Sequence, residues 1–69
     1  MIVNAHTFIN LYLEPWKRFI QSIIDRATPG EIVSSIVNEL KNTYGIIWEG
    51  EYFQVESESI LTLFLLKWS

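Results

Sequence analysis

Histidine is the side chain that titrates nearest neutrality, and this chain has one, His6. It could act as an acid, a base or a metal ligand if the right partners stood near. No Ser/His/Asp or Cys/His set accompanies it, and without cysteine it cannot complete a zinc site with Cys or His partners. His6 therefore reads as a surface or end-of-strand residue. Glu49 with Glu51, and Glu56 with Glu58, are i, i+2 pairs that would share a strand face and could hold a divalent cation or work as paired acids. A hard cation gathers more oxygen ligands than two carboxylates supply, so the expected role is a solvated, charged edge. Gly30, Gly45 and Gly50 fit no phosphate-cradling loop and read as turn and cap residues. Trp16, Trp48 and Trp68 could stack on a base or ligand. Trp16 has core spacing, whereas Trp48 and Trp68 suit the anchors of an interface. So thin an inventory points away from an enzyme, and neither a cofactor nor a metal is expected.

The elements that must position these residues are clearest from Pro15 to Leu40. Trp16, Phe19, Ile20, Ile23, Ile24 and Ala27 recur at i, i+3, i+4 and i+7, the buried stripe of a helix. Pro15 suits the first turn, where its missing N–H has no intrahelical partner anyway. Glu14 favours the positive end of the helix dipole and can reach Arg18 one turn on. A second helix is announced by Thr28-Pro29-Gly30-Glu31, which has the residues of a capping box. Its stripe is Ile32, Val33, Ile36, Val37, Leu40 and Tyr44, with Gly45 as a left-handed stop. So short a joint makes the two helices neighbours.

Beyond Gly45 the pattern turns to strand. Ile46 to Glu49, a Gly50-Glu51 turn and Tyr52 to Glu56 read as a hairpin. After the polar Ser57-Glu58-Ser59, both alternating sets of Ile60–Trp68 are apolar, which predicts a strand covered on both faces. A buried helix capped by Ser57 or Ser59 is the competing reading. At the other end, Thr7, Ile9, Leu11 and Leu13 alternate as a strand should, while Ala5, Phe8, Ile9 and Tyr12 extend the next helical stripe backwards. Strand is the expectation for residues 2–13, because Pro15 opposes the carbonyl of Leu11 and so rules out one straight helix.

Sixty-nine residues allow one domain, 1–69, and a chain this small buries only roughly 60% of its unfolded surface. Disulfides are excluded by composition, which leaves association or a dense core as the source of stability. The 49% hydrophobic content includes only two alanines, so large apolar side chains exceed what a small monomer buries easily. Part of that surplus is expected in a homodimer or partner interface. No signal peptide is expected at the N-terminus and no apolar run approaches a membrane span. The lack of cysteine fits a cytoplasmic protein.

The net charge of −3 is uneven, since Glu49, Glu51, Glu56 and Glu58 face only Lys67 in the second half. That imbalance weighs against the alternative fold, a winged helix-turn-helix regulator, which the order of two helices and a hairpin also fits. A groove-reading domain depends on Lys and Arg at phosphates. Here the would-be recognition helix offers only Lys41, and the would-be wing carries Glu49 and Glu51. Nucleic acid is therefore not an expected partner. The order strand, helix, helix, antiparallel strands, with NELKNTYG running into IIWEGEYFQV, resembles the dynein light chain family. The resemblance implies a small homodimer that binds extended peptides by strand addition. This chain is shorter and lacks a strand of that family, and none of the family's peptide-binding residues carries over.

The expectation is an α+β domain of order β-α-α-β-β-β, a helix hairpin packed on a small antiparallel sheet. Its expected role is that of a protein-binding or inhibitory module with Trp48, Phe64 and Trp68 as contacts and Glu49, Glu51, Glu56 and Glu58 as an acidic rim.

Overall fold

The structure, a computed structural model, describes residues 1–69. It is α+β, with helices on one face of a three-stranded antiparallel sheet. β1 (Ile2–Asn4) leads directly into α1 (Ala5–Leu11) and α2 (Leu13–Ile24). A 3-10 turn (Pro29–Glu31) opens α3 (Ile32–Glu39), which ends in a π-helical turn (Leu40–Tyr44). The hairpin strands β2 (Ile47–Glu49) and β3 (Tyr52–Gln54) follow, and α4 (Glu58–Trp68) closes the chain.

Two expectations about the ends are corrected. The segment after Asn4 is a helix, with Ala5 and Phe8 buried one turn apart. The Asn4 side chain starts it by accepting from the Thr7 N–H at 2.9 Å. Strand survives only at Ile2–Asn4. The break expected from Pro15 falls at Tyr12, whose φ of −122° and ψ of 48° bend α1 away from α2. Residues 60–68 are the second correction. They belong to α4, with Ser57 at the N-cap position, so the competing helical reading is the one the chain adopts. The order that resembles the dynein light chains fails at this point, since a helix stands where that order needs a strand.

Between the ends the local signals are met, with changes of detail. Thr28 is extended and precedes the turn, yet its hydroxyl makes no cap bond. The tight 3-10 turn takes the Glu31 N–H to the Thr28 carbonyl instead, at 2.9 Å. Glu14 lies 4.0 Å from Lys17 rather than pairing with Arg18. The hairpin turns on Gly50 and Glu51. Gly50 has φ of 57° and Glu51 a negative φ, the pattern of a type II′ turn, with Glu49 opposite Tyr52.

Gly45 ends the π turn at φ 71°. Its N–H reaches the Lys41 carbonyl, and the Ile46 N–H reaches that of Leu40. This closure is one residue wider than a Schellman motif, and it turns Tyr44 back over the core. A β-carbon at Gly45 would meet nothing within 4 Å, so substitution there is opposed by backbone conformation alone. Gly45→Ala is expected to lower unfolding free energy by about 1–2 kcal/mol with an unchanged urea m-value. A loss below about 0.3 kcal/mol in the same titration would contradict the left-handed assignment.

Strand order is β1-β3-β2. Val3, Phe53 and Trp48 form the inner row, while Ile2, Tyr52 and Ile47 on the outer face are exposed. The inner row meets an aromatic core in which Phe19, Phe53 and Phe64 are almost wholly buried and no polar residue is enclosed. The total surface, 4661 Å², is close to the roughly 4,500 Å² of an ordinary folded monomer of this mass. The fold is thus fully compact, and its surplus apolar groups lie on the outside.

Candidate interaction surface

The residues expected to form a contact site are not brought together on the surface. Phe64 is 1% exposed. It points from α4 into the core, with Phe19 and Tyr44 at centroid separations of 5.1 and 5.2 Å. It is a core residue, because α4 turns its i, i+4 face, Ile60–Phe64–Trp68, onto α2. Trp48 is half-buried on the inner face of β2, edge-on to Trp16 at 5.5 Å and Phe53 at 5.3 Å. Its indole N–H donates to the Gly50 carbonyl at 2.8 Å, pinning the hairpin turn. Trp68 is half-buried against Phe19 at 5.5 Å, and its indole N–H donates to the Tyr44 hydroxyl at 2.9 Å. Both tryptophans brace the core from its margin.

The four glutamates are exposed, but they do not form paired sites on strand faces. Glu49 ends β2 and Glu51 lies in the hairpin turn, while Glu56 and Glu58 sit at the opposite end of β3, where the chain enters α4. No three carboxylate or histidine side chains converge where they could share a metal ion. His6 lies exposed in the first turn of α1, with Nε2 3.1 Å from the Asn10 side-chain amide.

What the structure does present is an apolar groove between α1 and α4, about 290 Å³ in volume. Leu11 and Tyr12 line it from the α1 side and Leu61 and Leu65 from α4, with Met1 also in the lining and Glu58 its only charged side chain. Outside the groove, Leu63 and Leu66 of α4 stand 61% and 68% exposed. Sequence reasoning missed the α1 wall because it placed Thr7, Leu11 and Leu13 on a strand. It did contain the signal for α4, in the apolar character of both sides of Ile60–Trp68. Two other surface hollows are more polar, and the one between α2 and α3 is spanned by the Arg26–Glu39 ion pair at 3.1 Å.

No helix is long and apolar enough to cross a membrane. No protein-family model matches the chain, and neither does any curated protein or solved structure.

Proposed function

We propose that this chain is a non-enzymatic protein-binding module, of inhibitory or adaptor type, that docks through the α1–α4 face as a homodimer or within a complex in the cytoplasm. One observation carries the reading. α4 carries apolar residues on every side, and a helix of that kind is ordinarily enclosed, yet while Ile60, Leu61, Phe64, Leu65 and Trp68 pack against the core, Leu63 and Leu66 do not. Leu63 and Leu66 remain in water, Leu66 on the side of α4 nearer the groove that Leu61 and Leu65 line. Apolar contact on this face supplies affinity, and Glu56 and Glu58 at the start of α4 bias the rate and choice of encounter. The hairpin tip, with Glu49 and Glu51, repels a nucleic-acid backbone.

A photo-crosslinking residue placed at position 66, and separately at Val33 on α3, 74% exposed, tests the reading. In extract of the cells that encode the chain, a discrete protein adduct is expected from position 66 and not from 33. Equal labelling from both positions, or none from 66, would overturn it.

A further inference from the structure

We infer that the free edge of β1 takes an added strand from a protein partner, an extended segment with apolar side chains at alternate positions and Lys or Arg on its flanks. The inference rests on the docking role proposed above and names the chemistry of the partner.

The register of the sheet leaves this edge open. Met1 exchanges both backbone hydrogen bonds with Val55, and the Ala5 N–H reaches the Glu51 carbonyl. In an antiparallel ladder such pairs alternate with residues whose backbone groups point the other way. Ile2 and Asn4, opposite Gln54 and Tyr52, are those residues. No strand lies beyond β1, so the Ile2 N–H and C=O and the Asn4 N–H face outward. The Asn4 carbonyl serves the first turn of α1, where Asn4 is the N-cap.

The apolar groove runs beside the same edge. Met1 and Val3 line it together with Leu11, Leu61 and Leu65, which places it on the inner side of the sheet, next to β1. A strand paired with β1 turns its side chains opposite Met1 and Val3 the same way, into the groove, and the one between them outward beside Ile2. Two apolar residues separated by one are therefore the anchors. A helix seated in the groove would leave the backbone groups of Ile2 unpaired, so the edge selects an extended segment.

Charge sets the flanks. No Lys or Arg precedes Lys17, and none lies between Lys41 and Lys67. Glu51 stands at one end of β1, while Glu56 and Glu58 follow Val55 at the other. The one ammonium there, that of Met1, donates to the Val55 carbonyl. Three carboxylates thus outweigh one ammonium, and a segment with bases on both sides of its apolar positions is attracted to the edge. The edge is short, so the complex is weak and transient.

Selection from a displayed library of short random peptides on the intact chain tests this. The enriched sequences are expected to alternate apolar and other residues over one stretch and to carry Lys or Arg beside it. One of them, synthesised with a fluorophore, is then followed by anisotropy. Ile2→Pro is expected to weaken it by about tenfold or more, because the ring replaces the outward donor. Circular dichroism should not change, since no bond within the sheet uses that N–H. Ile2→Thr, which keeps the N–H, is expected to stay within about threefold. N-methyl groups on every second peptide nitrogen are expected to abolish binding in one phase of the alternation and spare it in the other. Should Ile2→Pro disturb the fold, the two N-methyl phases decide alone. Added salt is expected to weaken the complex.

Enrichment of helix-patterned or acidic peptides, or of none, overturns the inference, as does a folded Ile2→Pro chain that binds like the unaltered one. If that result comes while position 66 still crosslinks a protein in extract, the added strand is excluded and the docking face stands. If Ile2→Pro loses the peptide but position 66 labels nothing, the edge site stands and the wider face falls.

Discussion

Phe64→Ala is expected to abolish the cooperative unfolding transition of this protein at 25 °C. Truncating a buried phenylalanine costs about 3–5 kcal/mol, and a chain of this length at about 0.05–0.15 kcal/mol per residue has only about 3–10 kcal/mol to lose. The site has little means of relaxing, because Phe64 lies among the rings of Phe19, Tyr44, Phe8 and Trp16, which belong to two different helices and a π turn. Urea titration followed by tryptophan fluorescence and far-ultraviolet circular dichroism would show a broad, low-amplitude change in place of a sigmoid. Phe64→Leu, which keeps much of the volume, should retain the sigmoid. The experiment also decides between the two roles considered for this residue. Were Phe64→Ala to fold with less than about 1 kcal/mol lost and fail only in association, Phe64 would be the surface contact its sequence context suggested, and the core described here would be wrong.

Trp68→Ala carries the second large effect, about 2–4 kcal/mol of unfolding free energy. The indole covers Phe19 at 5.5 Å and donates to the Tyr44 hydroxyl at 2.9 Å. The tryptophan thereby ties the last turn of α4 to the π turn before the hairpin. Its ring and its hydrogen bond can be separated. Trp68→Phe keeps an aromatic body over Phe19 and removes only the donor, so a loss of about 1 kcal/mol is expected. Combined with Tyr44→Phe, the double-mutant cycle should return a coupling of about 0.5–1.5 kcal/mol. Additive losses would mean that the indole and the phenol do not share a bond. A loss below about 1 kcal/mol in Trp68→Ala would mean that the helix end is frayed and the core is closed without it.

Both variants bear on the same question, whether the aromatic residues of the second half serve the core or a partner. Residue type alone favoured a partner for Trp48, Phe64 and Trp68, since anchors of interfaces are aromatic. The contacts of these rings turn inward, and the groups left facing water are leucines, on the two sides of α4 that do not meet α2.

Much of the architecture was legible residue by residue. The stripe from Trp16 to Ile24 lies in α2, which ends before Ala27, and the stripe from Ile32 runs through α3 into the π turn at Leu40, because a 3.6-residue apolar period can be satisfied by one conformation only. Pro15 foretold a break, Gly45 a left-handed stop and Gly50 the hairpin turn, each through backbone sterics that act within a few residues. At Thr28 the start was legible and the hydrogen bond was not, because a tight turn diverted the Glu31 N–H to a carbonyl.

Residues 5–13 and 60–68 were not decided locally. In Ala5–Leu13 the alternation Thr7, Ile9, Leu11 competes with the helical pair Ala5 and Phe8, and it is the Asn4 cap and the burial of Phe8 against Phe53 that resolve it. In Ile60–Trp68 nearly every position is apolar, so no period distinguishes helix from strand and either conformation buries comparable surface. The choice belongs to the tertiary structure. Phe8, Phe19 and Phe53 leave one side of the core open, and only a helix can bring Phe64 and Trp68 to it from positions four residues apart while Ile60 packs one turn before. A strand would carry 60, 64 and 68 across more than twice the length, beyond what the core spans. The sequence by itself thus determined the elements whose periods and turn residues admit one solution, together with the excess of apolar side chains. Which of those side chains closed the core and which were left on the α1–α4 face was settled by the fold, because burial depends on the shape of the gap that the other elements leave.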